Sequence, residues 1–384
     1  MATPSPLATL RSLVNSTLQL SPEDLLALDF CFSTVIATLR PGKRSPLWGY
    51  LVGPPGCGKT ELLLPYNGHS TTFFLSELTA NALSSGYDSE SGEDPSLLPY
   101  LAGKTLVIPD LASIITRDPV LVQGIMGTLR AAFDELYVKA SGTSGIRQSS
   151  SRFGVIAAVT PVIDTISSVQ QNLGERFLLL RMAKAARHRT LDERLAFLNR
   201  VQGTLQDKPR WRASFVSAAQ KGINSICRRF GALGPGDDIK IESGNRDKLL
   251  FLAADLLAHL RTRPIEGMAT EPESASRIVQ QLLALGEARA IADNRDSWND
   301  DDYALAIRVA SDSIPRSTYR VAKVLYKHPR SRAALSILAD VEGSILADTL
   351  REFLYLGIIE GDNEKFRMSS ETSGAIDACG LFSV

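Results

Sequence analysis

The chain has 384 residues, 44% hydrophobic and 22% charged, enough for two or three cores of ordinary domain size. Its 42 basic and 42 acidic residues cancel, which excludes a broad basic field and leaves any nucleic-acid contact to local clusters. Four cysteines, at 31, 57, 227 and 379, lack metal-ligand spacing and a disulfide framework, and no segment nears about 18 uninterrupted apolar residues, so a reducing, cytoplasmic setting without secretion or membrane spanning is expected.

Residues 1–20, rich in Ser, Thr and Pro, read as a loosely held arm. Pro22-Glu23-Asp24 then opens a helix carrying Leu25, Leu28, Phe30, Val35 and Leu39, which stops at Pro41-Gly42. Leu47–Val52 reads as a buried strand, and directly behind it stands Gly53-Pro54-Pro55-Gly56-Cys57-Gly58-Lys59-Thr60, a complete G-x-x-x-x-G-K-T phosphate loop, with Thr60–Leu64 starting a helix. In that context the backbone N–H groups of the turn face the β- and γ-phosphates of ATP, Lys59 brings a point charge, and Thr60 places its hydroxyl on Mg²⁺. Cys57 occupies a variable position of the loop and reads as a space filler.

Further strands are expected at about 71–75, 105–109, 153–159 and 177–181, with an exposed loop at Ser84–Asp94, a helix over Val120–Val138 and a polar insertion over Lys139–Arg152. Strand and helix alternating in this way predict a mostly parallel sheet covered on both faces. Asp110 closes the third strand, where a carboxylate orders Mg²⁺ through water. A glutamate that polarises the attacking water normally comes next, but position 111 is Leu, so the base is open. Glu77, at the mouth of the second strand, is one candidate and equally a surface residue. Glu135 is a poorer one, about four turns along the helix that starts near 119. Thr160 follows the fourth strand, which should lie beside the phosphate-loop strand; its hydroxyl either senses the γ-phosphate or merely ends the strand before Pro161.

From Thr190 to Val309 the pattern is almost wholly helical, with helices expected over Leu191–Gln202, Trp211–Phe230, Lys248–Leu260, Pro272–Ala292 and Asp300–Ala310. Short helices at 315–327, 331–340 and 344–356 then lead into two apolar segments around Gly361-Asp362-Asn363, which read as a hairpin and, together, as a winged helix-turn-helix module.

With these motifs in order, the chain resembles the AAA+ superfamily of ring-forming ATPases over about residues 25–310. The residues that carry the resemblance are Gly53–Thr60, Asp110, Thr160 as first sensor, and Gly174-Glu175-Arg176-Phe177. It is also similar to phage and mobile-element ATP-binding proteins with Pro-Leu-Trp before the phosphate loop, here Pro46-Leu47-Trp48. The resemblance implies an α/β fold with an N-terminal arm and helix at 1–45, an AAA+ parallel-sheet P-loop core at 46–190, a helical lid at 191–312, a winged-helix-like module at 313–372 and a tail at 373–384. It implies ATP and Mg²⁺ as cofactors and a homo-oligomer, a hexameric ring, in which Arg176 completes a neighbour's site; the other reading of Arg176 is a solvent-facing residue at a strand entrance. It places Arg277 as a second sensor in the lid, against a helix-surface arginine.

In related rings a hairpin precedes the sensor strand and faces the central channel, which makes Lys139, Arg147 and Arg152 the residues for phosphate contact along a strand, unless the segment is a surface loop. Lys327, Arg330, Lys365 and Arg367 form two basic edges on the C-terminal module that fit a duplex backbone, while its recognition helix, Ser344–Glu352, is acidic enough to fit a protein instead. The expected function is therefore an ATP-driven DNA-handling motor or loader in phage or mobile-element replication, with DNA and a replication protein as partners. A protein remodeller and a nucleotide-gated scaffold with weak hydrolysis are the alternatives.

Overall fold

Five apolar runs form one parallel sheet in the computed structural model, as their alternation with helices predicts. The structure describes residues 4–18, 20–40, 44–85, 96–141, 145–164, 176–182, 191–232, 240–263, 270–362 and 365–383; for residues 17, 80, 81, 139–141, 145, 147 and 191–206 it describes the backbone. Two units divide the chain, Met1–Ile241 with Glu287–Ser297 and Glu242–Gly286 with Trp298–Val384.

The first unit opens with helices α1 (Pro6–Thr17) and α2 (Pro22–Leu39), strand β1 (Trp48–Val52), helix α3 (Lys59–Leu63), strand β2 (Thr72–Phe74) and helix α4 (Ala80–Leu83). Strand β3 (Thr105–Ile108), helices α5 (Ala112–Ile115) and α6 (Pro119–Phe133), and strands β4 (Leu136–Ser141), β5 (Gly145–Ser150), β6 (Gly154–Val159) and β7 (Leu178–Arg181) follow. The sheet runs β2-β3-β6-β1-β7. Val52 stands level with Val159 of β6 on one side and Arg181 of β7 on the other.

Buried on both faces, the central strands are continuous apolar runs, as parallel sheets require. Trp48, Tyr50 and Val52 face a core that α4, α5 and α6 close. There Trp48 donates its indole N–H to the Phe153 carbonyl (2.8 Å) and meets the rings of Phe133, Phe153 and Phe177, so the Pro-Leu-Trp signature is explained by packing. Helix α2 covers the opposite face.

Three sequence expectations change in this unit. The N-terminal arm is helix α1: Ser5 caps it through the Ala8 N–H, Pro6 takes its first turn, and Leu7, Leu10 and Val14 bury one stripe. It packs on the helix Leu191–Gly231, where Trp211 donates to the Leu13 carbonyl (2.9 Å). That helix is one element of 41 residues and not two, because Pro209 forfeits a single backbone bond without stopping the turns on either side. Helix α6 ends at Phe133, five residues early, since Glu135 adopts the left-handed region (φ 65°) and turns the chain into β4. The polar insertion forms the antiparallel hairpin that the resemblance implies, β4 on β5, with Leu136 level with Ser150 and Lys139 level with Arg147.

In the second unit, the helix Arg246–Arg261 packs against Asp300–Asp312 and Ser370–Cys379. The last of these lies where a terminal tail was expected and buries Ile376 and Cys379, followed by buried Leu381 and Phe382. Helices Arg316–Leu325, Arg332–Ala339 and Gly343–Tyr355 match the three short helices expected. The hairpin β9 (Ile359–Gly361) and β10 (Lys365–Met368) also forms, and β8 (Arg330–Ser331) adds a third strand in the order β8-β10-β9. The helix Ala275–Ala292 contributes residues to both units, its last turn from Glu287 belonging to the first. No helix among the described residues is long and apolar enough to cross a membrane.

Candidate phosphate-binding site

Parallel strands deliver their following loops to one edge of the sheet, and that edge carries the phosphate loop, Asp110 and Thr160, whereas Arg176, ahead of β7, stands at the opposite edge. Gly53 donates its N–H to the Val159 carbonyl (3.1 Å), tying the start of the loop after β1 to the end of β6. Gly56 (φ 76°) and Gly58 (φ 93°) both take the left-handed conformation, with open space where a Cβ would project. Glycine takes these angles without strain, whereas a side chain at either position would cost about 1–2 kcal/mol. Gly58 caps α3 with no side chain over the first-turn N–H groups. Helix α3 itself has only five residues; Pro65 then opens a 3₁₀ turn at Leu64–Tyr66.

Lys59 is 9% exposed and its ammonium lies within the loop, donating to the carbonyls of Gly53 (2.7 Å) and Pro54 (2.8 Å). Cys57 places its sulfur 3.6 Å from that ammonium and 3.7 Å from the Met182 sulfur, which is the filling role its variable position implied. Pro55 and Thr60 are exposed. Glu61, the next residue, is gripped by Arg212 (Nε to Oε2, 2.8 Å; Nη2 to Oε1, 2.5 Å) and by Lys208 (2.9 Å), both on the helix Leu191–Gly231. Burial pushes the Glu61 carboxyl up, but the hydrogen bonds from Arg212 and Lys208 outweigh it and hold the group below its ordinary value.

Asp110 is exposed beyond the end of β3 and accepts the Ala112 N–H on its carboxylate (3.1 Å). Leu111 donates its N–H to the Ala158 carbonyl (2.8 Å) and turns its side chain into the core, 3% exposed. Position 111 thus belongs to the packing of the sheet. Glu77, past β2, is 78% exposed and lies 3.7 Å from Arg117. Glu135 is not on a helix but at the turn into β4, paired with Arg152 (3.1 Å). Thr160 is half-buried directly after β6, so it and Gly53 follow neighbouring strands as expected.

Arg176 precedes β7 with its side chain 11% exposed, bound to Asp134 (3.0 Å) and lying over the Phe133 ring (5.4 Å). Gly174 and Glu175 lie outside the described residues. Arg277 belongs to the second unit, 3.8 Å from Glu273, which also receives Arg261 (2.7 Å). Sequence reasoning missed Glu61 with its two cations and the pair Arg181–Asp164 (2.7 and 2.8 Å) beside β1. Glu61 follows the motif directly and was legible as a charged residue there; its partners are some 150 positions away, with |i−j| of 151 for Arg212.

Lys139 and Arg147 are level with each other across the hairpin ladder. Arg152 departs from the expected channel role: it stands past the end of β5, and its guanidinium donates to the carbonyls of Arg40 (3.5 Å) and Arg44 and pairs with Glu135, clamping the hairpin root. On the C-terminal module Lys327 lies over the Tyr326 ring (5.2 Å), Arg330 is half-buried in β8, and Lys365 is exposed. Arg367 is held by Glu360 (3.0 and 2.6 Å), which halves the charge of that edge. Among the described residues no group of three or more His, Cys, Asp or Glu converges as a metal cluster. No protein-family model matches the chain, and no curated protein matches it.

Proposed function

We propose that the chain is a ring-forming ATPase of the AAA+ type that couples ATP binding and hydrolysis to the handling of DNA, as a helicase, translocase or loader in phage or mobile-element replication. The observation that carries this reading is the Gly53–Thr60 loop, left-handed at Gly56 and Gly58, following a strand whose neighbour β6 leads to Thr160 and whose second neighbour β3 leads to Asp110. The finer architecture belongs to the same proposal: a helical lid, and a winged helix formed by the three short helices and the sheet β8-β10-β9.

The residues present fit a magnesium nucleotide. Left-handed Gly56 and Gly58 shape the loop as an anion nest with open space where a Cβ would project, Lys59 supplies a cation, and exposed Thr60 and Asp110 supply the oxygen ligands that a largely hydrated Mg²⁺ takes from protein. Bound Mg²⁺ would neutralise charge on the transferring phosphoryl group. Lys59 and the loop amides hold the phosphates, Thr160 orients a γ-phosphate oxygen or the attacking water, Glu77 is the candidate base, and Arg176 adds positive charge from a neighbouring copy. Lys139 and Arg147 on the hairpin meet the DNA strand.

Buried Leu111 favours a second reading, a nucleotide-gated scaffold that hydrolyses ATP poorly. ATP turnover of wild type and Lys59→Ala, each with and without single-stranded and duplex DNA, separates the readings. DNA-stimulated turnover that vanishes in Lys59→Ala is expected. Binding with negligible turnover supports the scaffold, turnover indifferent to DNA a protein remodeller, and undiminished activity in Lys59→Ala removes the site.

A further inference from the structure

Two consecutive carboxylates at the start of the hairpin each take an arginine from a different part of the first unit. Glu135 takes Arg152 (3.1 Å) at the end of β5, and Asp134 takes Arg176 (3.0 Å) ahead of β7. The pairs differ in how firmly they are held. Arg152 is also anchored on the backbone carbonyls of Arg40 and Arg44, and the Glu135 carbonyl accepts the Ser151 N–H (3.3 Å). Asp134 is 64% exposed, so water stands ready to replace its arginine. Asp134 is also the C-terminal cap of α6, where the helix dipole opposes a carboxylate and a facing cation relieves it. The Arg176 side chain, 11% exposed and over the Phe133 ring, is held ready at low cost in solvent exposure.

We propose that Asp134 is a positioning residue for Arg176: it holds the guanidinium at the hairpin root of its own copy and releases it when Arg176 enters the phosphate site of the neighbouring copy. This rests on the reading of Arg176 as an arginine that acts between copies. One ion pair then links two events. When Arg176 leaves for a neighbour's nucleotide, the hairpin root loses its Asp134 tether and keeps only the Arg152–Glu135 clamp, about which the hairpin pivots. When the hairpin is pulled by its occupant, Asp134 is displaced and Arg176 is freed. Turnover at one junction and the posture of the hairpin are coupled through an ion pair that touches neither nucleotide nor DNA.

The test compares full-length wild type, Asp134→Asn, Asp134→Glu, Arg176→Ala and the double variant Asp134→Asn with Arg176→Ala, reading basal and DNA-stimulated ATP turnover. Asp134→Asn should raise basal turnover about twofold to fivefold, the range given by releasing a half-exposed ion pair. It should shrink the ratio of stimulated to basal turnover and leave the KM for ATP unchanged, with Asp134→Glu moving both values back toward wild type. The double variant should be as slow as Arg176→Ala. A basal rate unchanged in Asp134→Asn, or raised equally in the Arg176→Ala background, overturns the proposal while leaving the arginine between copies intact. Arg176→Ala as fast as wild type overturns that underlying reading instead, and the proposal with it. A second measurement does not depend on the asparagine variant folding. Amide exchange at Leu136–Ser141, with and without a slowly hydrolysed ATP analogue, should quicken on analogue binding in wild type and not in Arg176→Ala; equal responses in both overturn the proposal.

Discussion

Glu61 and Arg212 form a two-point ion pair, 2.8 and 2.5 Å, that fastens the first turn behind the phosphate loop to the helix Leu191–Gly231. Lys208 adds a third bond to the same carboxylate (2.9 Å). The helix that carries Lys59 and Thr60 is only five residues long, too short to hold its direction by its own hydrogen bonds. The grip on Glu61 therefore helps to fix the direction of this helix and, on the proposed function, the aim of its first N–H groups at the phosphates.

Glu61→Gln should lower stability by about 1 kcal/mol at neutral pH and weaken nucleotide binding, because a neutral amide keeps the shape but not the charge of the contact. The carboxyl is held below its ordinary value of 4.5, so its contribution is complete above that value and is lost as pH falls through the lower folded one. Urea midpoints of wild type and Glu61→Gln should differ at pH 7 and converge toward pH 3. A gap that persists undiminished in acid would show that the charge is not what matters.

Gly58→Ala should cost about 1–2 kcal/mol and impair ATP binding more than its size implies, since it forces a Cβ into a left-handed position (φ 93°). Gly127→Ala in α6, where a Cβ meets open space, is the control, expected within about 0.5 kcal/mol of wild type or slightly stabilising. Calorimetric titration with a non-hydrolysed analogue reads affinity, and thermal melting reads the strain. Equal behaviour of the two variants would refute the nest.

Asp110→Asn and Asp110→Ala should differ. Both remove the negative charge and should suppress Mg²⁺-dependent turnover, but asparagine keeps an oxygen for the Ala112 N–H and alanine does not. Melting temperature should therefore fall only in the alanine variant while turnover falls in both. Wild-type turnover of Asp110→Asn at limiting Mg²⁺ would reject the assignment.

Removal of charge at Lys139 and Arg147 should lower DNA-stimulated turnover more than basal turnover, whereas removal at Lys327 and Lys365 should weaken initial DNA association and reduce its salt slope by about 1 for each lysine neutralised. Arg152 is not a test of DNA contact, because its replacement unclamps the hairpin root. Unchanged binding, salt slope and stimulation in both sets would favour a protein-directed ATPase.

The sheet and the phosphate loop were legible because their causes are local. A strand buried on both faces shows as an unbroken apolar run such as Gly154–Val159, and the positive φ angles of Gly56 and Gly58 show as glycines. The N-terminal helix was misread although Ser5, Pro6 and the spacing of Leu7, Leu10 and Val14 announce it; a Ser, Thr and Pro-rich composition outweighed the pattern. Pro209 and Glu135 failed in opposite directions. Proline signals a break that packing along a long helix overrode, and glutamate gives no warning of a left-handed turn. The roles of Arg152 and Arg176 were beyond local reading altogether, since a basic residue in a polar segment looks the same whether it meets solvent, a phosphate or a carboxylate many positions away.

The resting place of Lys59 has a consequence for how a phosphate is chosen. Its ammonium has already exchanged water for the carbonyls of Gly53 and Pro54, so an incoming oxyanion competes with two fixed dipoles and not with a hydration shell. A weak or singly charged anion gains little by displacing two good acceptors, whereas a multiply charged polyphosphate gains enough to draw the lysine across. If the loop binds nucleotide as proposed, it acts as a threshold, and discrimination begins with the ammonium's change of partners, before any base or ribose is read.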